Sequence, residues 1–170
     1  RMIWSLLLVA VIFPSISGAH NTYNLLRLSD GKMVTLESIV EELKDARLVF
    51  VGELHDEVAH HELQLAVIRE LTETGAQVAV GLEMFRHESQ DALDNWVEGR
   101  LSEEAFKHIY YENWTLPWPL YRNIFMYARE RELPLIGLNV PPEITRQVSR
   151  KGFASLSEKQ LGRLPKVTCN

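Results

Sequence analysis

Cysteine is nearly absent. The 170-residue sequence holds one, Cys169, which excludes an intramolecular disulfide and a zinc site built from cysteines. It has no cluster of Lys or Arg, and acidic residues outnumber basic ones 23 to 18, for a net charge of −5. Nucleic-acid binding needs concentrated positive charge facing phosphate, so no nucleic-acid partner is expected. Glycine and proline stay modest at 9 and 7, and neither a repeat of solenoid period nor a low-complexity tract occurs. Collagen-like, disordered and solenoid architectures are therefore excluded. A Gly-rich phosphate loop, a Gly-x-Ser-x-Gly elbow and a Ser/His/Asp order are also missing. What is present is an ordinary globular composition, 46% hydrophobic and 24% charged, in about one domain's length of chain.

The first nineteen residues read as a secretory signal rather than as fold. Arg1 precedes an apolar stretch from Ile3 to Phe13, followed by Pro14 and the small residues Ser15, Ser17, Gly18 and Ala19. Eleven residues are too few to cross ~30 Å of hydrocarbon, so a permanent anchor is not expected. Ser17 and Ala19 suit the −3 and −1 positions of a cleavage site, so the mature chain is expected to begin near His20. It carries seventeen basic and 23 acidic residues, net −6. No cysteine stands at the cut to take a lipid, so contact with a membrane is expected only through export or at its periphery. The expected location is the periplasm, or a membrane-associated place, in a bacterium.

Residues 20–170 read as a single α/β domain. Leu25 to Val34 suggests a hairpin turned at Ser29-Asp30-Gly31-Lys32. Thr35 is placed to cap a helix that runs to Asp45. The uninterrupted run Leu48-Val49-Phe50-Val51 predicts a strand, and Val58 to Thr74 has the helical spacing of Leu63, Ala66, Val67 and Leu71, stopped by Gly75. Val78 to Val80 predicts a second strand and Leu135-Ile136 a third. Between these two strands lie helices over Ser89 to Glu98, Ser102 to Tyr110 and Leu120 to Glu132. A last helix starts at Pro141-Pro142 and runs to about Lys151. Strands apolar throughout and separated by helices imply a mostly parallel sheet flanked by helices.

Each predicted strand leaves through a glycine and then a polar residue: Gly52-Glu53, Gly81-Leu82-Glu83 and Gly137-Leu138-Asn139. Ligands of open parallel sheets bind beyond the carboxyl ends of the strands, so Glu53, Glu83 and Asn139 are expected to share a crevice with His55. The glycines would let a backbone or a ligand approach closely. Two carboxylates, an imidazole and an amide suit either metal coordination or acid/base work. The stretch His55 to Glu62 is not a His-Glu-x-x-His motif, and its histidines do not share one helical face. His60 and His61 are expected to be solvated, although His61 has a route to the crevice. His87 follows Glu83 closely, and His108 is expected to be packed or exposed. The aromatic segment from Tyr110 to Tyr121 either packs over the sheet edge or forms an apolar wall for a flat ligand, with tyrosine hydroxyls as partners.

The ordered set Val51-Gly52-Glu53-Leu54-His55, Gly81-Leu82-Glu83-Met84-Phe85, the Gln90 to Gly99 helix, Trp114/Trp118/Tyr121 and Gly137-Leu138-Asn139-Val140-Pro141 resembles the ChaN-like haem-binding uptake family. That family belongs to the wider Tiki and TraB group, and the resemblance covers about Leu48 to Pro165. It implies an α/β fold, bacterial export, and haem bound by a homodimer in iron uptake. Glu53, His55, Glu83 and Asn139 are the matched site positions. Tyr110, Tyr111, His87 and His61 are the candidates for the axial ligand. The Tiki branch implies an alternative, a divalent-metal-dependent peptidase or esterase in which Glu53, His55 and Glu83 hold the metal and act as catalytic residues. The family domain continues past Asn170, so residues 20–170 are expected to form the N-terminal part of a longer domain. A crevice that has lost its chemistry is the third reading.

Overall fold

The computed structural model describes residues 8–10 and 23–164. Of the expected signal segment, 1–19, only the short strand β1 (Leu8–Ala10) falls among them; the rest of that expectation lies outside the described residues. The chain groups into two compact units: Arg1–Val78 with Pro119–Ile124, and Ala79–Trp118 with Phe125–Asn170.

In the first unit β2 (Asn24–Arg27) and β3 (Lys32–Thr35) form the expected antiparallel hairpin, and β1 pairs with the outer edge of β2. Gly31 takes φ +70°, a conformation that costs glycine little, and Asp30 accepts from the Lys32 amide while its carboxylate pairs with Arg27. Helix α1 (Leu36–Lys44) starts where the sequence predicts: Thr35 and Ser38 close a reciprocal cap, satisfying two amides that a helix start leaves orphaned. Helix α2 is Val58–Glu73, and Gly75 leaves it at φ +81°. Leu25, Leu36, Ile39, Leu63 and Val67 form the buried core, with Val49 and Val51 packed against it.

Leu48 to Val51 is not a strand. Val49 and Val51 face the core, but Leu48 and Phe50 point to solvent, Phe50 being 87% exposed. The segment keeps the alternation of an extended chain without joining a ladder, which is why an apolar run alone misled.

In the second unit β4 (Val80–Arg86) and β5 (Leu135–Asn139) pair in parallel, and no third strand among the described residues joins them. The protein is thus α/β with small sheets and is mainly helical, rather than a broad parallel sheet. The register slips between Leu82 and Arg86, so four residues of β4 oppose two of β5, and Met84 and Phe85 both turn inward. Gly137 is required at that point, because a Cβ there would lie 2.7 Å from the Arg86 carbonyl oxygen. On the far side of β5 the Gln90 amide donates to the Leu135 carbonyl and accepts from the Gly137 amide, occupying the edge as a neighbouring strand would.

Helices α3 (Gln90–Val97), α4 (Glu103–Asn113) and α5 (Trp118–Glu130) close over this sheet, each within two or three residues of its predicted range. Residues 119–124 of α5 count with the first unit. Six rings (Phe85, Trp96, Phe106, Tyr110, Trp118 and Phe125) fill the centre at centroid separations of 4.4–6.4 Å. The predicted helix at Pro142 is α6 (Pro142–Lys151), and the four-residue α7 (Glu158–Leu161) follows. Arg163 ties this end down: its guanidinium makes two bonds to Glu88 and one to Glu143.

Candidate functional site

Glu53 gathers the polar groups of the first unit. It lies on the segment before α2, and its side chain keeps only 10% of its surface in water. Tyr121 Oη donates to Glu53 Oε1 at 2.5 Å, and His55 Nδ1 contacts the same oxygen at 2.7 Å. His61 Nδ1 stands 2.8 Å from Oε2, in ion-pair range but off the line that an aligned hydrogen bond needs. The other nitrogen of that ring, Nε2, reaches the His55 carbonyl at 3.2 Å, and a carbonyl can only accept, so Nε2 donates. The His61 ring also packs on Tyr121 with centroids 4.3 Å apart. Gln64 Nε2 donates to the Val51 carbonyl, which fixes the segment that carries Glu53.

Two expectations change here. His61 is 3% exposed, packed on Tyr121 and bonded to the His55 carbonyl, so it is not solvated. The spacing argument compared histidine rings along one helix, whereas His55 precedes α2 and Glu53 draws both rings to itself. His60 is also partly enclosed: its Nδ1 accepts the Leu54 amide at 2.8 Å and ties the loop to the first turn of α2. Tyr121 was not singled out as a site residue, because 68 positions separate it from Glu53 in the chain.

Within the second unit Glu83 and Asn139 do not take the places that the strand ends suggested. Glu83 sits within β4 on its solvent face rather than beyond the strand's end. Asn139 is a staple: Nδ2 donates to the Glu83 carbonyl and Oδ1 accepts from the Val140 amide, which ties the end of β5 to the middle of β4. The close approaches at the strand glycines are made by the chain itself, the Arg86 backbone at Gly137 and the Leu138 side chain at Gly81. At Gly52 the space is open.

The aromatic segment splits in two. Tyr110 and Trp118 are core: Tyr110 is fully buried and donates to the Leu116 carbonyl, and the Trp118 indole donates to Glu103. Tyr110 is therefore corrected from a ligand candidate to a packing residue. Tyr111 stays exposed, its oxygen accepting the Trp118 amide, and His87 is exposed as well. His108 is exposed on α4, with Glu112 one turn on. Among the described residues no group of three or more His, Cys, Asp or Glu is arranged to hold a metal ion, and no helix is long and apolar enough to cross a membrane. The arrangement lends no support to the divalent-metal alternative.

An α/β fold of helices with small sheets, carrying a buried carboxylate between two imidazoles and a phenol, defines the class. The fold is similar to that of ChaN of Campylobacter jejuni, solved under the heading of cofacial heme binding: TM-score 0.64 and 22% identity, over 81% of this chain and 58% of that one. The family model for haem-binding uptake proteins of the Tiki superfamily, ChaN, matches residues 39–169, and the chain belongs to that family. The chain is also similar to the chloroplastic Protein RETICULATA-RELATED 5 of Arabidopsis thaliana, 28% identical over 127 residues, which are 71% of this chain and 17% of that protein. It therefore spans less than two thirds of the length of either.

Proposed function

We propose that this chain binds haem and serves in iron acquisition. The observation that carries the reading is the Glu53–His55 pair set beside an exposed apolar strip in the first unit. In the extended segment 48–54, Phe50 (87% exposed) and Leu54 (63%) alternate with the inward Val51 and Glu53, and Gly52 leaves the space between them open. A porphyrin face needs such an apolar surface, and an imidazole nitrogen is a common axial ligand of haem iron. His55, with 48% of its side chain exposed, supplies that imidazole at the end of the strip. Glu53 takes its contact at Nδ1, so the ring carries its lone pair at Nε2, the usual arrangement of a metal-binding histidine with a carboxylate behind it. Bound haem would supply an iron centre that accepts ligands and changes redox state. Membership of the haem-binding uptake family supports the same reading.

The apolar stretch and small residues of 1–19 support export, with the mature chain beginning near His20. The cofacial haem binding of ChaN supports haem-linked pairing of two copies. Haem titrated into the purified protein should shift the Soret band with stoichiometric binding, and His55→Ala should lose the shift. A haem spectrum that the protein leaves unchanged overturns the reading. Light scattering with and without haem tests pairing, and the N-terminal mass of the cell-derived protein tests cleavage.

A further inference from the structure

We infer that the face of the second unit around α6 docks on the surface of an anionic lipid bilayer, whether or not haem is bound. The face holds a groove of about 400 Å³ with apolar floor and walls. Ile144 and Val148 lie one turn apart on α6, Val140 precedes the helix, and Phe153 and Leu164 follow it. Phe153 keeps 68% of its surface in water, and Leu161 on α7 keeps 48%. Thr145 and Ser149 also line the groove, but their hydroxyls donate to the Pro142 and Arg146 carbonyls of their own helix. Gln160 donates to the Gln147 side chain, and Gln147 donates to the Ser155 carbonyl. A peptide laid in the groove would need partners for its amides and carbonyls, and these side chains are already engaged. Acyl chains need no such partners, which favours lipid over a protein segment.

Charge complements the apolar groove. From Arg146 to Lys159 the chain holds four cations (Arg146, Arg150, Lys151 and Lys159) and one acid, Glu158. The rest of the sequence holds 14 basic and 22 acidic residues. The four cations are spaced along the chain, so they form no run of like residues. All four are exposed, and among the described residues none has an ion-pair or side-chain hydrogen-bond partner; Arg163, by contrast, is held by Glu88 and Glu143. Arg146 and Arg150 follow the groove residues Thr145 and Ser149 by one position each, which sets them on the adjoining side of the helix. An exposed ring and leucine beside unpaired cations suit an anionic lipid surface: the apolar tips enter the acyl boundary while the cations meet the headgroups. The acidic remainder of the molecule would be repelled by the same surface, so this face is the one that approaches. No helix among the described residues is long and apolar enough to cross a membrane, so the docking is peripheral.

The test is co-sedimentation of the full chain with vesicles of phosphatidylcholine, alone or mixed with phosphatidylglycerol, at low and high salt. The protein should bind the mixed vesicles, and salt should weaken that binding. Vesicles of phosphatidylcholine alone report any insertion of the apolar stretch from Ile3 to Phe13, which needs no anionic lipid. The double variant Arg146→Gln/Arg150→Gln should weaken binding about 25-fold, from about five-fold per cation. Phe153→Ser should weaken it about ten-fold by removing the ring that enters the acyl boundary. All three positions are exposed, so both variants should keep the wild-type thermal midpoint. Equal binding to neutral and anionic vesicles, or to neither, overturns the inference. Variants that bind as tightly as the wild type overturn it too, because another face then does the docking. A wild-type dimer that Phe153→Ser dissociates in light scattering would mean that a second copy covers the groove, and the lipid surface falls.

Discussion

Trp118 and Tyr121 are three residues apart at the start of α5, and they meet opposite surroundings. Trp118 enters the aromatic centre of the second unit, stacking on Phe125 and meeting Trp96, Phe106 and Tyr110 edge-on. Tyr121 is just as buried, yet its hydroxyl ends on the Glu53 carboxylate of the first unit. In the second unit the rings are packing, and their polar atoms bond to neighbouring groups: Trp96 Nε1 to the Phe125 carbonyl, Tyr110 Oη to the Leu116 carbonyl. In the first unit the core is aliphatic, and polar side chains bond to one another at Glu53. The aromatic packing and the buried carboxylate thus belong to different units, and an aromatic-rich stretch of sequence is not by itself a ligand wall.

The comparison breaks most visibly at Phe106, which is fully buried against four other rings. Phe106→Ala should cost about 3–5 kcal/mol, seen as a lower denaturant midpoint, because the cavity cannot collapse among rigid rings. Next comes Gly137→Ala, expected to cost about 1–3 kcal/mol, since the added methyl would press on the Arg86 carbonyl and force β5 away from β4. Thermal unfolding of this variant checks it; an unchanged midpoint would mean that the slipped register is not needed. In the first unit Thr35→Ala should remove the cap of α1 at about 1 kcal/mol, read as a smaller drop in the denaturant midpoint.

The smallest effect concerns acid. The Arg163 guanidinium holds the Glu88 carboxyl below the ordinary glutamate value of 4.5, and Glu143 is lowered too, by its own backbone amide first and then by Arg163. Carboxyls depressed in the folded state stabilise it above their unfolded value, and that contribution is lost as pH falls through the folded one. The clasp between α7, α6 and the turn at Glu88 should therefore be intact at neutral pH and loosen only below about 4.5. Amide exchange of residues 158–164 against pH checks this, and Arg163→Gln should abolish the dependence. All these groups are exposed, so overall stability should move little.

The parts of the fold that were legible in the sequence are those decided within a few residues. Asp30-Gly31, the Thr35 cap and the glycine that ends α2 at positive φ are local chemistry, and the structure keeps all of them. The strands were less legible. A strand exists through its partner, so Leu48 to Val51 could satisfy every local preference and stay unpaired, while β4 ran on to Arg86 with a slip. The site was legible in one half: Glu53 and His55 stood out beside Gly52, two residues apart. His61 was expected to be solvated and kept only as a candidate ligand, and Tyr121 was hidden in an aromatic run in which Tyr110 and Trp118 are core.

By itself, then, the sequence determined the helices with their caps and stops, the hairpin, the lack of disulfide or phosphate-loop chemistry, and the resemblance that family membership upholds. Only the tertiary structure decided that His61 is buried, that Asn139 is a staple, that Tyr110 packs and Tyr121 does not merely pack, and that Glu53 is the centre. The reason is range. A cap or a turn closes over three or four residues, whereas the contact that gives Glu53 its place crosses 68 positions of chain, and no local pattern encodes it.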